Sequence, residues 1–393
     1  MTATSLNPNP AEFHYKKPRF RWLDVKEQIT GYLFITPAVL LITIFGFFPI
    51  GYSVYMSLFT WRVKKGPFVG LKNYDRALGD WGGAALFAIG FILLFMAYLA
   101  WQKAMTAHSN RSMLFWFATA FLLIAAGFLI PMGWDRMLVD GDKKFLQSLP
   151  ITLFYALVTV PAELALAMGL AYILFQKIRG QEFFRMLYFL PYITPLVASA
   201  VVFRIIFSPR ETSPANRVLL MFGMEPQKWL FESSPISEVL FGIENMSGLL
   251  AGPSLALISI GMFGIWTYVG YNTVIFLAGL GSIPNELYEA AEIDGAGGLS
   301  LFRHITLPLL SPVTFYLALI AFIGTFKAFN HIYVMRVPSA QGTVDVTSIM
   351  IFDTFYKANN YSFAAAQAIL LFVVILALTY VQNKVFGEKV FYG

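Results

Sequence analysis

The sequence predicts an all-α, polytopic membrane protein, a bundle of about eight transmembrane helices. Of its 393 residues, 58% are hydrophobic and 13% are charged, and the mean hydropathy is +0.65. A soluble domain would be about 45–50% apolar and about 25% charged. Because lipid leaves every backbone group to be satisfied internally, apolar stretches of about 20 residues are expected to be helices. Such stretches are residues 31–58, 84–101, 113–131, 150–175, 185–207, 254–281, 307–330 and 363–384.

The two ends of the chain are polar and are predicted to be tails. Residues 1–30 carry three prolines and a basic run, with no apolar segment of the kind that forms a cleavable signal peptide. We expect a cytosolic N-terminal tail over residues 1–30, a first transmembrane helix over 31–58 and a short C-terminal tail over 385–393.

Composition excludes several classes of function. The net charge of +6 is explained by cations in loops beside anionic lipid, so no nucleic-acid partner is predicted. There is no cysteine, and the four histidines are scattered, with His304 and His331 expected to be ordinary interfacial residues. We therefore predict no metal site and no cofactor. A phosphate-binding GxxxxGK[ST] loop is missing from the sequence, as are kinase and hydrolase motifs, so no catalytic residues are assigned.

An acid-rich polar helix interrupts the apolar sequence near residue 290. Pro284 and Asn285 supply chemistry typical of a helix start, and Gly295 is expected to end the helix after roughly three turns. At about 100° per residue, three acids fall on one arc with Leu287 and Ala291 opposite. The acids are Glu286, Glu289 and Glu292. Such a helix, predicted over residues 284–295, could lie flat against a partner or form an ordinary solvated loop.

The spacing of this segment resembles a known signature. Residues 289–310 read EAAEIDGAGGLSLFRHITLPLL, which reproduces the EAA signature of permease subunits in binding-protein-dependent ABC importers. The resemblance is to the carbohydrate-uptake branch, of the maltose and glycerol-phosphate type. Three further blocks match it: PAVLLITIFGFFPIGYSVYMSLFTW, FVGLKNYDRAL and FFRMLYFLPYITPLVASAVVFRIIF.

This resemblance implies a fold, a location and a set of partners. The fold would be the type I importer permease (MetI-like) fold, multi-pass in the cytoplasmic (inner) membrane. The partners would be a second permease subunit, an ATP-binding-cassette ATPase dimer that hydrolyses the ATP, an extracellular or periplasmic solute-binding protein and a sugar substrate. The chain itself would not be an enzyme. The residues expected to couple it to the ATPase are Glu286, Glu289, Ala290, Ala291, Asp294 and Gly295.

The chain departs from the usual six-span core of this family by two extra apolar segments. We interpret residues 84–131 as an inserted transmembrane hairpin and residues 150–384 as the permease core. Two added spans preserve parity, so the signature segment still falls on the side of the N-terminus. Lysine and arginine do not decide the orientation, because the inside and outside segments each hold 13 of them.

A substrate site is expected in the sixth span, which reads GMFGIWTYVGYNTVIFLAGL. Sugars present apolar faces edged by hydroxyls, so aromatic platforms beside a few donors and acceptors suit them. In the maltose permease that the chain resembles, substrate is held midway through this span and the next one. The residues at matching positions are Thr267, Tyr268, Tyr271, Gly324, Thr325 and Ala328, with Tyr192 near the translocation path. The alternative is that these aromatics only pack against the partner subunit.

Two ionisable residues at membrane depth remain open. Glu163 could make a structural contact at the Pro161 kink, and Lys327 could extend to the membrane surface. If Glu163 were a coupling acid, the chain could be an ion-coupled secondary transporter, but the sequence lacks clear internal repeats. A membrane-embedded enzyme would need a catalytic cluster. The importer interpretation is therefore preferred, with the identity of the sugar not predicted.

Overall fold

The computed structural model describes residues 22–106, 110–176, 179–243, 251–387 and 390, and most of them are helical. The chain divides into two compact units between Ser53 and Val54. Most of the predicted N-terminal tail and part of the predicted C-terminal tail lie outside the described residues. In chain order the helices are α1 Trp22–Ile42, α2 Phe48–Ser57, α3 Lys72–Leu78, α4 Trp81–Thr106, α5 Asn110–Asp140, α6 Lys143–Phe175, α7 Gln181–Ile193, α8 Leu196–Ile206, α9 Pro214–Met221, α10 Ile236–Phe241, α11 Leu255–Gly281, α12 Asn285–Ile293, α13 Gly298–Leu301, α14 Leu307–Leu309, α15 Ser311–Phe326, α16 Asn330–Met335, α17 Thr347–Phe352 and α18 Tyr361–Phe386.

Six helical segments of the described chain are long and apolar enough to cross a membrane, or eight if two bent pairs each count as one span. The six are Lys26–Ser57, Trp81–Thr106, Ser112–Asp140, Lys143–Phe175, Leu255–Gly281 and Tyr361–Phe386. A short antiparallel pair, β1 Phe59–Trp61 with β2 Lys65–Phe68, follows α2.

The two remaining spans are broken, which continuous apolar stretches at 185–207 and 307–330 did not predict. Helices α7 and α8 meet at 95°, and the pair Gly298–Leu309 with Ser311–Phe326 bends by 63°. At the first break Thr194 is extended, with φ −66° and ψ 146°, as expected for a residue before Pro195. At the second, Pro312 lies in the first turn of α15, where the ring is tolerated.

Helix α6 is the centre of the packing. Its first turn is capped by Asp142, whose carboxylate accepts a hydrogen bond from the Phe145 backbone N–H at 2.9 Å. Along its length it contributes to four buried clusters, through Phe145, Tyr155, Ala156 and Val160. Helix α11 runs beside it for much of that length. These two helices therefore form the frame on which the other elements lie.

Helices α4 and α5 pack against each other through a stripe of small residues. On α4 the buried residues recur at every seventh position: Gly83, Gly90, Ala97 and Ala104. On α5, a Cβ added at Gly133 would lie 2.5 Å from the backbone nitrogen of Phe87. The two backbones are thus in direct contact, while large side chains on the other faces, such as Phe121 and Phe128, are exposed.

The loops at the Leu255 end of α11 fold into what we call the loop cap, residues 208–243 together with 331–350. Asn216 is fully buried at its centre. Its amide donates to the carbonyls of Arg210 and Gln227, both at 3.0 Å, and its oxygen accepts from Gln227 N–H and from the Trp229 indole. The polar groups around Asn216 therefore satisfy one another within the chain.

Candidate coupling and substrate sites

Helix α12 begins and ends where the signature residues require. It ends in a Schellman arrangement: Ala296 N–H donates to Ala291 C=O at 2.9 Å, and Gly295 N–H donates to Glu292 C=O at 2.9 Å. Gly295 has φ +84°, a conformation that other residues adopt only with strain. A Cβ there would meet no atom of the described residues within 4 Å, its two chain neighbours aside. The glycine is therefore needed for the backbone angle and not for space within this chain.

One side chain that the sequence did not single out holds α12 in place. Tyr288 packs against the buried cluster around Leu280 and Leu310, and its hydroxyl is hydrogen-bonded to the Thr306 hydroxyl at 3.1 Å. Ala291 is half-buried beside it. Helix α12 is thus fixed from behind by a tyrosine. The sequence signal that could have identified Tyr288 was the position of this residue in the helical period of α12.

The free face of α12 carries acids together with apolar side chains. Of the residues predicted to couple, all except half-buried Ala291 are exposed: Glu286, Glu289, Ala290, Asp294 and Gly295. Leu287 and Ile293 lie among them at 44% and 86% exposure, and Leu299 on the following helix α13 is 83% exposed. Leu287 thus belongs to the exposed face and does not pack inward.

Three of the predicted substrate residues meet in one place. The Tyr192 ring, at the end of α7, stacks on the Tyr271 ring with centroids 4.6 Å apart and an interplanar angle of 23°. Tyr268 lies 6.1 Å from Tyr192 at 60°. All three keep part of their surface exposed. We call these residues the tyrosine cluster; its rings and hydroxyls offer both stacking and hydrogen bonding.

A glycine and a proline bring the tyrosine cluster together. On α11, a Cβ at Gly270 would overlap the carbonyl oxygen of Tyr188, so α7 contacts α11 at backbone distance. The chain then turns at Pro195. The Thr194 hydroxyl donates to the Pro191 carbonyl at 2.7 Å, which satisfies a group that the break leaves open. The sequence did not reveal the role of Gly270, because glycines are frequent in apolar spans.

The other predicted substrate residues have hydrogen bonds or packing contacts elsewhere in the chain, or are exposed. Thr267 is 3% exposed, and its hydroxyl donates to the Phe263 carbonyl at 2.9 Å. The Thr325 hydroxyl donates to the Ala321 carbonyl at 2.6 Å, and Ala328 packs against the cluster beneath the loop cap. Gly324 is exposed on α15.

The open ionisable residues differ in their surroundings. Lys327 is exposed just after the last turn of α15, whereas Glu163 is 4% exposed on α6. His331, expected to be interfacial, is instead buried and hydrogen-bonded to the Tyr155 hydroxyl at 2.7 Å. Burial lowers the pKa of the His331 imidazole to about 4, so this residue ties α16 to α6 in its neutral form.

Comparison with known proteins agrees with this architecture. Residues 163–392 match the family of binding-protein-dependent transport system inner membrane components, and the chain belongs to that family. It is 30% identical to the arabinooligosaccharides transport system permease protein AraP of Bacillus subtilis, over 77% of this chain and 88% of that protein. It is 26% identical to the trehalose/maltose transport system permease protein MalF of Thermococcus litoralis, over 92% and 95%.

Two solved structures share the fold. A bacterial ABC transporter involved in the import of the acidic polysaccharide alginate contains a chain with a TM-score of 0.62 and 19% identity, covering 93% of this chain and 98% of that one. A second structure of an alginate transporter, in complex with an alginate pentasaccharide-bound periplasmic protein, gives 0.58 and 19%, covering 92% and 96%.

These findings confirm the predicted class. The protein is a multi-pass membrane permease of an ABC importer with the MetI-like fold, and it is a transport component and not an enzyme. The alternative of an ion-coupled secondary transporter gains no support from them.

Proposed function

We propose that the chain is one of two permease subunits of an ATP-driven importer for a sugar or sugar-like solute in the cytoplasmic membrane. The observation that carries the proposal is the free face of α12, where acids and apolar residues such as Ile293 are exposed together on a helix held from behind by Tyr288. A solvated loop helix would not need such an anchor.

An ATPase dimer is the proposed occupant of the α12 surface. Its closure would push on α12, and because α12 follows α11 directly, the movement would reach Tyr268 and Tyr271 of the tyrosine cluster on α11. The proposed coupling residues are the six predicted from the sequence, with Gly295 fixing the angle at which the helix ends. Alternating access then follows from two arrangements of the two permeases.

The tyrosine cluster is the proposed centre of the substrate site. Sugars with apolar faces stack on tyrosine rings and bind their hydroxyls, and the relatives named for arabinooligosaccharides and for trehalose and maltose favour a carbohydrate. Gly324, Thr325 and Ala328 on or just after α15, with Thr267 behind the cluster, remain proposed contributors. An external solute-binding protein is proposed to deliver the ligand at the loop-cap end, as the periplasmic protein of the alginate complex suggests.

The hairpin of residues 84–131 is proposed to be a peripheral insert facing lipid, outside the core of residues 150–384. Its exposed faces are apolar, with Ile92 at 57% and Phe121 at 71%, and the family match begins only at residue 163. Apolar surface of this kind is stable in contact with acyl chains.

Purification from the native membrane, followed by uptake assays, tests the proposal. We expect the chain to be recovered with an ATPase and a second permease in stoichiometric amounts. Reconstituted with the solute-binding protein, the complex should take up one of a panel of labelled maltose, trehalose and arabinose oligosaccharides when ATP is supplied inside. Recovery of a lone homo-oligomer that transports with an ion gradient would contradict the proposal.

A further inference from the structure

Glu163 is a buried acid for which the proposed mechanism has no use. At roughly 1.5 Å per residue it lies about 30 Å from the start of α6 and about 18 Å from its end, deep in the apolar part of the bundle. Among the described residues no ion pair includes it. An ionisable group at this depth is costly, and the surrounding contacts indicate what it does.

The side chain that holds Glu163 is Asn272, on α11. The two polar side chains interact with each other, and each residue is 4% exposed. The helices are close on both sides of this pair: a Cβ at Gly264 would lie 2.7 Å from the Tyr155 hydroxyl, and Thr273 donates to the Ala167 carbonyl at 3.4 Å. The pair therefore connects α6 to α11 in the middle of their contact.

This connection lies directly behind the tyrosine cluster. Asn272 follows Tyr271 in the chain, and the Glu163 carboxyl also interacts electrostatically with the hydroxyl of Tyr268. Tyr268 and Tyr271 are one turn apart on α11, so the rotation of α11 about its axis sets the direction of both rings. A polar pair that fixes this rotation fixes the geometry of the site.

We infer that Glu163 is a positioning residue, which through Asn272 sets the orientation of Tyr268 and Tyr271 toward a hydroxyl-bearing ligand that it does not itself touch. The inference rests on the proposed placement of the substrate site at the tyrosine cluster. It requires a polar group of this size at position 163, so an amide should serve there and an apolar side chain should not.

Uptake kinetics in the reconstituted importer test the inference. Glu163→Gln should keep the wild-type apparent KM, whereas Glu163→Leu should raise KM by about fivefold, as expected for one lost hydrogen bond, with assembly and maximal rate retained. The matched control is Gln367→Leu, which removes another buried polar side chain, on α18, and should leave KM unchanged. A KM increase of equal size in Gln367→Leu, or an equal loss in Glu163→Gln, would overturn the inference.

A double-mutant cycle separates positioning from an independent effect. If Glu163 acts through the tyrosines, Glu163→Leu should have little further effect on KM in a Tyr268→Ala, Tyr271→Ala background, which lacks both rings. Effects that multiply fully would show that Glu163 contributes by another route.

A measurement without substrate keeps the inference testable even if no sugar is transported. Difluorotyrosine placed at position 268 reports the surroundings of that ring by ¹⁹F NMR. Its signal should shift in Glu163→Leu and stay in place in Gln367→Leu; an unmoved signal in Glu163→Leu contradicts the inference. Failure of wild-type uptake alone would count against the proposed sugar import and not against this positioning role.

Discussion

The two ends of α11 differ in how far the residues around them are buried within the chain. At the Leu255 end, the loop cap has a polar centre that is buried within the protein, and Asn216 there is completely inaccessible. At the Gly281 end, α12 leaves Ile293 at 86% exposure and a row of acids without cover. The first end has a polar centre satisfied by the chain itself, and the second is the proposed docking surface for the ATPase. Substitutions at the two ends should therefore fail in different ways.

The largest effect is expected at the uncovered end, from Gly295→Asp. The substitution places a side chain at φ +84° and adds a charge where the partner would lie, so uptake should be abolished while the protein still inserts and remains folded. Uptake and membrane levels are measured side by side. Gly297→Ala is the control, because Gly297 has φ −82° and open space around its Cβ. Normal uptake by Gly295→Asp would show that α12 does not transmit movement of the ATPase to α11.

The next largest effect is expected midway along α11, from Gly270→Ala. The added methyl would overlap the Tyr188 carbonyl, so α7 must move away and carry Tyr192 off Tyr271. Uptake should fall by at least tenfold, with a smaller loss of assembly. Gly169→Ala on α6, where a Cβ meets nothing within 4 Å, should be silent. Unchanged uptake by Gly270→Ala would show that the contact between α7 and α11 can relax.

At the covered end, Asn216→Ala should affect stability and not coupling. It leaves the Trp229 indole and the backbone N–H and C=O of Gln227 without their partner, at a cost of about 3 kcal/mol. A lower melting temperature of the purified complex measures this loss. Molecules that remain folded should couple ATP hydrolysis to uptake normally; a coupling defect without a stability defect would contradict the proposed division between the two ends.

A smaller, quantitative effect is expected from Tyr271→Ala. The lost aromatic contact, roughly 0.5–1.5 kcal/mol, predicts a several-fold weaker apparent affinity with intact assembly and intact stimulation of the ATPase by the loaded binding protein. Tyr316→Ala, an exposed tyrosine on α15, is the control. Wild-type affinity in Tyr271→Ala would show that the substrate does not bind at the tyrosine cluster.

The smallest effect is expected from Glu289→Lys on the free face of α12. An exposed ion pair with a partner is worth about 0–1 kcal/mol, so the amount of ATPase recovered with the chain should fall only modestly. Glu225→Lys, an exposed acid in the loop cap, should not change that recovery. If both reversals act alike, the effect is one of net charge and not of docking.

The sequence predicted the elements that depend on local patterns of residues. Long apolar stretches located the spans. The spaced signature identified the class of protein and also located α12, because the glycine that ends this helix has to be at that position. The three tyrosines were selected from their position in the family pattern, and the structure brings them together.

What the sequence did not predict depends on contacts between distant segments. The break at Pro195 follows from local geometry, yet its angle of 95° is set by packing. Gly270 resembles any other glycine of an apolar span until Tyr188 is placed against it. Tyr288 and Asn216 read as ordinary polar loop residues, because their partners lie 18 and 11 to 13 residues further along the chain.

The stripe of small residues between α4 and α5 has a consequence for the order of biosynthesis. The contacts of this hairpin are local in sequence, so it can form as soon as residue 140 has entered the membrane. Helix α6 emerges next, and its polar side chains await α11, which is completed more than 100 residues after Glu163. During that interval the hairpin is already present, and its Trp134 and Met137 pack with Phe145 and Leu146 at the start of α6. The hairpin of α4 and α5 thus gives the central helix a neighbour in lipid before α11 has been synthesised.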